Sequence, residues 1–125
     1  MKPRDNLVRL KQFQVNEKRK QLLQLDMMIA EFERMATELE LQIGAEEKKA
    51  GIVDINHFAY PTFAKAARVR RDNIRNSQAD LQQQREAADG TLREAEAELS
   101  KAKMLETRDA KIRDIDTGSR AAMIG

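Results

Sequence analysis

The sequence predicts an all-α fold, a long antiparallel two-helix coiled-coil hairpin. Two long runs with apolar residues at helical spacing, about 5–50 and 62–116, flank a single break at about 51–61. The break is rich in turn formers, and three of the five aromatics (Phe58, Tyr60 and Phe63) lie in or beside it. Charged residues make up 35% of the 125 and aromatics 4%, the composition of a coiled coil or long helix. One domain is expected, with a frayed tail over 117–125.

The distribution of charge points to a reversal of the chain. Residues 1–30 carry seven Lys/Arg against three Asp/Glu, and residues 31–54 carry three against seven. Residues 55–85 carry six against two, and residues 86–116 six against nine. Folding back near residue 55 sets each basic block beside an acidic one, whereas an extended helix paired in parallel with its own copy sets like beside like. Flanking charges of opposite sign select orientation in coiled coils.

Helix one starts at Asp5 or Asn6, good N-caps, with Pro3 just outside. From Leu22 its seam reads Leu22, Leu25, Ile29, Phe32, Ala36, Leu39, Ile43, a 3-4 alternation that extends backwards through Lys18, Val15, Lys11 and Val8. Leu7, Leu10 and Phe13 point to other azimuths. Gly51 is placed to end the helix as a left-handed cap. In the break, Asp54 or Asn56 can cap a short turn, and Pro61 fits the first turn of helix two, where its missing N–H does no harm. Helix two reads Phe63, Ala67, Ile74, Leu81, Ala88, Leu92, Ala95, Leu99, Ala102, with Gln78 and Arg85 at seam positions, then Leu105 and Ile112 after a phase shift. The register brings Ile29 near Leu81, Ala36 near Ile74 and Leu22 near Ala88.

Catalytic patterns are missing from the sequence. There is no cysteine, and the only histidine, His57, lies in the turn without a partner for a metal set. The five glycines are scattered, so no phosphate loop forms. Carboxylate pairs such as Glu46-Glu47 fall on solvated helix faces, where no pocket tunes them for proton transfer. No enzyme, cofactor or metal is expected. The basic runs Lys18-Arg19-Lys20 and Arg68, Arg70, Arg71, Arg75 are each followed by acidic blocks, the net charge is only +2, and aromatics are not interleaved. Intramolecular pairing is the reading, not nucleic acid. No stretch reaches the ~20 apolar residues of a membrane span, and the charged start Met1-Lys2-Pro3-Arg4 is unlike a signal peptide. A cytoplasmic chain is expected. Apolar residues off the seam, Leu23, Met27, Met28 and Met35 among them, suit an adaptable contact with a partner.

Two strings carry a resemblance. Arg9-Leu10-Lys11-x-Phe13-x-x-x-Glu17-Lys18-Arg19-Lys20, followed by Met28-Ile29-Ala30-Glu31-Phe32-Glu33-Arg34-Met35, resembles the FliJ-type flagellar export proteins of alphaproteobacteria. His57-Phe58-Ala59-Tyr60-Pro61-Thr62-Phe63-Ala64-Lys65-Ala66-Ala67 does so too, and the likeness spans about residues 1–115. The resemblance implies an antiparallel two-helix coiled coil that acts as a non-catalytic stalk of the flagellar type III export apparatus. Its implied partners are the export ATPase, at the centre of whose ring the family sits, the cytoplasmic domain of the export gate, and in some members export chaperones. It implies a place at the cytoplasmic face of the inner membrane near the flagellar basal body, reached through partners only. In the family an aromatic step opens the second helix and begins the gate-contact face. Tyr60 and Phe63 match the step, and Ala67 and Ile74 follow at helical spacing, with Arg70 where other members carry a small apolar residue. The family's ATPase-ring end corresponds to Leu7, Leu10 and Phe13 and to Leu105 and Ile112. The alternative is a chaperone or adaptor that holds secreted subunits or other chaperones against an apolar helix face.

Overall fold

The computed structural model describes the backbone of residues 3–124 and the side chains of residues 6–118. The chain is an all-α helical hairpin of two helices, α1 (Pro3–Ala50) and α2 (Thr62–Ile124). It divides into two compact units, Leu23–Ala87 around the turn and Met1–Leu22 with Ala88–Gly125 at the chain ends.

In the turn unit the helices run antiparallel. Asp26, Glu33 and Glu47, in ascending order on α1, pair with Arg85, Arg75 and Arg68, in descending order on α2. Ala36, Ile43, Ala64, Ala67, Ile74 and Leu81 are buried between them. Three of these six are alanine, which lets the backbones approach closely. In the terminal unit Val15, Leu92, Ala95 and Leu99 form the buried cluster, with Val8 and Leu22 packed against it. Val15 is the largest side chain with no exposure at all among the described residues. Lys11 crosses to Glu98 at 2.8 Å. The pairs Lys11–Glu98, Arg68–Glu47, Arg75–Glu33 and Arg75–Glu40 each join a basic block to an acidic one, whereas in Arg85–Asp26 the carboxylate belongs to the basic first quarter.

The turn closes by side-chain capping. Gly51 has φ 71°, the left-handed conformation that a Cβ disfavours, and the Gly51 and Ile52 amides both donate to the Glu47 carbonyl, at 2.8 and 3.3 Å. The Asp54 carboxylate accepts the Asn56 amide at 3.0 Å, and the Asp54 carbonyl accepts the His57 amide at 3.1 Å. His57 repeats the device: its Nδ1 accepts the Ala59 amide and its carbonyl the Tyr60 amide, both at 3.0 Å. The Pro61 carbonyl accepts the first bond of α2, from Lys65, so proline stands just before the helix proper.

Four expectations are corrected. The first helix begins at Pro3 rather than at Asp5 or Asn6; a proline has no amide to satisfy in a first turn. The Asp5 side chain lies outside the described residues. Second, α2 continues to Ile124 instead of giving way to a frayed tail at 117, because loss of seam pattern removes packing without removing helix propensity. Gly125 lies outside the described residues. Third, Phe63 is 55% exposed, and its neighbour Ala64 occupies the seam at 0%. Fourth, the seam makes no phase shift to Leu105 and Ile112. It passes from Ala102 to Glu106 and Asp109, which are half-buried, and leaves both apolar residues exposed.

Candidate docking surfaces

One side of the turn unit carries a trough between the helices. Phe63 opens α2 two residues after Pro61, and Ala67, Arg70 and Ile74 recur at the helical spacing that keeps them on one side. Facing them on α1 are Met35, Leu39 and Gln42. These side chains line two clefts of about 190 and 170 Å³, which share Leu39, Gln42 and Arg70 and so adjoin. Of the sequence-derived gate-contact residues, the trough brings Phe63, Ala67 and Ile74 together. Ala67 and Ile74 form its buried floor and Phe63 its exposed rim. Arg70 stands in both clefts beside Glu38, a charge where an otherwise apolar wall runs.

Tyr60 is not part of this surface. It is 7% exposed, and its hydroxyl accepts Arg68 Nε at 2.8 Å. The same guanidinium reaches the Glu47 carboxylate at 3.0 Å and lies 5.9 Å from the Tyr60 ring centre. The Tyr60 hydroxyl first, and Glu47 second, raise the Arg68 pKa further. Tyr60 therefore belongs to a clasp that ties the turn to both helices.

A polar layer sits deeper along the same unit. Gln78 is the one buried polar side chain among the described residues. Its amide donates to the Ile29 carbonyl at 3.3 Å and to Glu33 at 2.8 Å, and its carbonyl accepts Arg75 Nη1 at 3.0 Å. Arg75 also bonds Glu33 and reaches Glu40 at 3.1 Å. The Gln78 amide first, and then Arg75, hold the Glu33 carboxyl below its ordinary value. No buried side-chain polar atom among the described residues lacks a partner.

The terminal unit presents the other sequence-derived set. Leu7, Leu10, Phe13, Leu105 and Ile112 are all exposed, Phe13 at 61%. Phe13 lines a cleft of about 470 Å³ with Glu17, Lys18, Thr91, Glu94 and Glu98. Ile112 shares a separate face of α2 with Met104, Lys103, Arg108 and Lys111. The five residues thus fall on at least two surfaces rather than one. Lys11 holds the Glu98 carboxyl below its usual value.

Sequence reasoning passed over two groups. Leu39 faces Phe63, Ala67 and Ile74, and its place on the α1 seam gave no sign that the seam opens to one side, although Met35 beside it was already set apart as an off-seam apolar residue. Val53, Ile55 and Phe58 lie exposed on the turn; their apolar character among turn formers was the available signal. Among the described residues no group of three His, Cys, Asp or Glu is placed to hold a metal ion, and no helix is long and apolar enough to cross a membrane. Comparison of the chain with protein-family models, with curated proteins and with solved structures finds no match.

Proposed function

We propose that this chain is a non-catalytic stalk and coupling component of a flagellar type III protein export apparatus, linking the export ATPase ring to the export gate. The trough lined by Phe63, Ala67 and Ile74 with Met35 and Leu39 is the observation that carries the reading. It gives Phe63, Ala67 and Ile74, three of the four gate-contact residues that the resemblance to FliJ-type proteins implies, a common surface, while Tyr60 lies outside it. The exposed apolar residues of the terminal unit, Leu7, Leu10 and Phe13, supply the second contact such a coupling role needs. The position near the inner membrane and the absence of catalysis belong to the same proposal.

The test pairs genetics with binding. Deletion of the gene should abolish motility and filament secretion, and Met35→Ser with Phe63→Ala should weaken capture by the gate domain while leaving capture by the ATPase intact. A deletion strain with normal motility and secretion would sink the reading.

A second reading, an export chaperone or adaptor, is favoured by the exposure of Leu23, Met27 and Met28 in the turn unit, at 61%, 64% and 49%. Flexible thioether side chains on an open face accommodate varied partners. Binding to filament-type subunits, with none to the ATPase or gate domain, selects this alternative.

A further inference from the structure

Arg70 is a charge that the coupling role leaves unexplained. The other arginines of the turn unit each hold a carboxylate: Arg34 holds Glu31, Arg68 Glu47, Arg71 Asp72, Arg75 both Glu33 and Glu40, and Arg85 Asp26. Arg70 is exposed and makes no ion pair with any described residue. It stands in the wall that the two clefts of the trough share. The smaller cleft is otherwise lined by Leu39, Gln42, Phe63, Ala66 and Ala67, so Arg70 is its only charge. The larger holds one acid, Glu38, which is not paired with Arg70 and lies one turn from Arg34 on α1. Glu31 first, and Glu38 after it, raise the Arg34 pKa. We propose that the trough takes an acidic amphipathic helix, whose apolar side chains one turn apart enter the two clefts and whose carboxylate pairs with Arg70, so that Arg70 selects the partner.

The acid follows from desolvation. An occupant lying over Phe63, Ala67 and Ile74 takes water away from the Arg70 guanidinium, which cannot shed its charge. A cation covered without a counter-charge is costly, and a carboxylate that forks onto the guanidinium offsets that cost. A neutral partner leaves the penalty standing, and a basic one adds repulsion. The helix follows from the walls. Both sides of the trough are α-helices, which spend their amides and carbonyls on their own turns. An extended segment would lose the water on its backbone and find no replacement there, whereas a helix brings its backbone bonds with it. The clefts adjoin, so one helix fills both with apolar residues at i and i+4, about 6 Å apart. Arg70 belongs to the shared wall, which sets the acid between them in height, at i+1 or i+3. This rests on the trough being the docking face of the coupling reading and adds what the partner must carry.

A displayed library of alanine-rich helical peptides with one randomised face, selected on the full chain, tests this. Recovered helices should carry apolar residues at i and i+4 with Asp or Glu at i+1 or i+3. Synthetic copies should bind about tenfold more weakly to Arg70→Gln than to the parent, and more weakly in raised salt. Selection on Arg70→Glu should return Lys or Arg at the acidic position. Met35→Ser with Phe63→Ala should abolish binding of the peptides, which fixes their site to the trough. Because Arg70 is on the surface, the circular dichroism of its variants should match the parent, which separates lost binding from lost folding. Recovery of no helix, or of helices without the acid, overturns the proposal, as does equal binding by Arg70→Gln. Self-association of the parent that Arg70→Glu disrupts gives the trough to a second copy and likewise overturns it. Gate-domain capture that Arg70→Glu leaves intact overturns this inference and spares the coupling reading. Acid-dependent peptide binding by a chain that captures no gate domain does the reverse.

Discussion

Replacing Gln78 by leucine should leave the protein as stable as the parent or slightly more so, while replacing it by alanine should destabilise it. Gln78 makes three hydrogen bonds in the seam of the turn unit. All three partners keep another bond when it is removed: Ile29 its helical amide donor, Glu33 the Arg75 guanidinium, and Arg75 the Glu40 carboxylate. No buried group is orphaned, so the loss is the net value of the bonds, roughly 1–3 kcal/mol in total. Leucine at a position 7% exposed gains about 1.5–3 kcal/mol of apolar burial. The two nearly cancel. Alanine loses the bonds without that gain and leaves a gap, which costs about 2 kcal/mol and lowers the melting temperature by about 6–10 °C. Thermal and urea denaturation followed by circular dichroism read both variants. A single polar layer in an apolar seam also fixes register. Spin labels at the exposed positions 30 and 80 should therefore give one narrow distance in the parent and a broader distribution in the leucine variant, where a one-heptad slip displaces a label by about 10 Å. A leucine variant as destabilised as the alanine one, with an unbroadened distance, would refute the reasoning and make the polar network the source of stability at that layer.

Three other perturbations follow from the geometry. Gly44→Ala and Gly90→Ala meet open space within a helix and should each stabilise by about 0.5–1 kcal/mol in denaturant titrations, whereas Gly51→Ala, at φ 71°, should cost about 1–2 kcal/mol. Tyr60→Phe keeps the buried ring and removes only the acceptor for Arg68, so it should lower stability by about 1 kcal/mol, seen as a shift in urea midpoint at constant slope. Glu33 and Glu98 are held below the ordinary value of 4.5 in the folded chain by Gln78 with Arg75 and by Lys11. Their contribution is complete above that value and is lost as pH falls through the lower folded pKa, so the melting temperature should drop below about pH 4.5, and less so in Glu33→Gln and Glu98→Gln.

The α1 seam was legible residue by residue. Val8, Lys11, Val15, Lys18, Leu22, Leu25, Ile29, Phe32, Ala36, Leu39 and Ile43 are each buried or half-buried, the lysines included, because a 3-4 alternation places a side chain toward the partner whatever its chemistry. On α2 the choice between Phe63 and Ala64 was not legible, since alanine-rich stretches carry little difference in hydrophobicity between faces and the largest residue wins the reading. Leu105 and Ile112 misled for another reason. The seam had already passed to Glu106 and Asp109, and no periodicity records where the facing helix runs out. Gly51 announced its cap through its lack of a Cβ. The Tyr60–Arg68–Glu47 clasp was invisible, because its members are separated by 8 and 21 residues and meet only when the turn closes. Of the site, the spacing of Phe63, Ala67 and Ile74 was readable, but the division between buried floor and exposed rim needed the facing residues of α1.

The buried alanines set a limit of a particular kind. Ala36 and Ala64 are wholly enclosed, and Ala67, Ala95 and Ala102 nearly so. At such sites nothing can be made smaller except by glycine, while any added methyl group wedges two backbones apart. Mutational tolerance along this seam is therefore one-sided: variation that thickens it is excluded at the alanines, and variation that thins it is felt only at the few large residues such as Val15, Ile43 and Leu99.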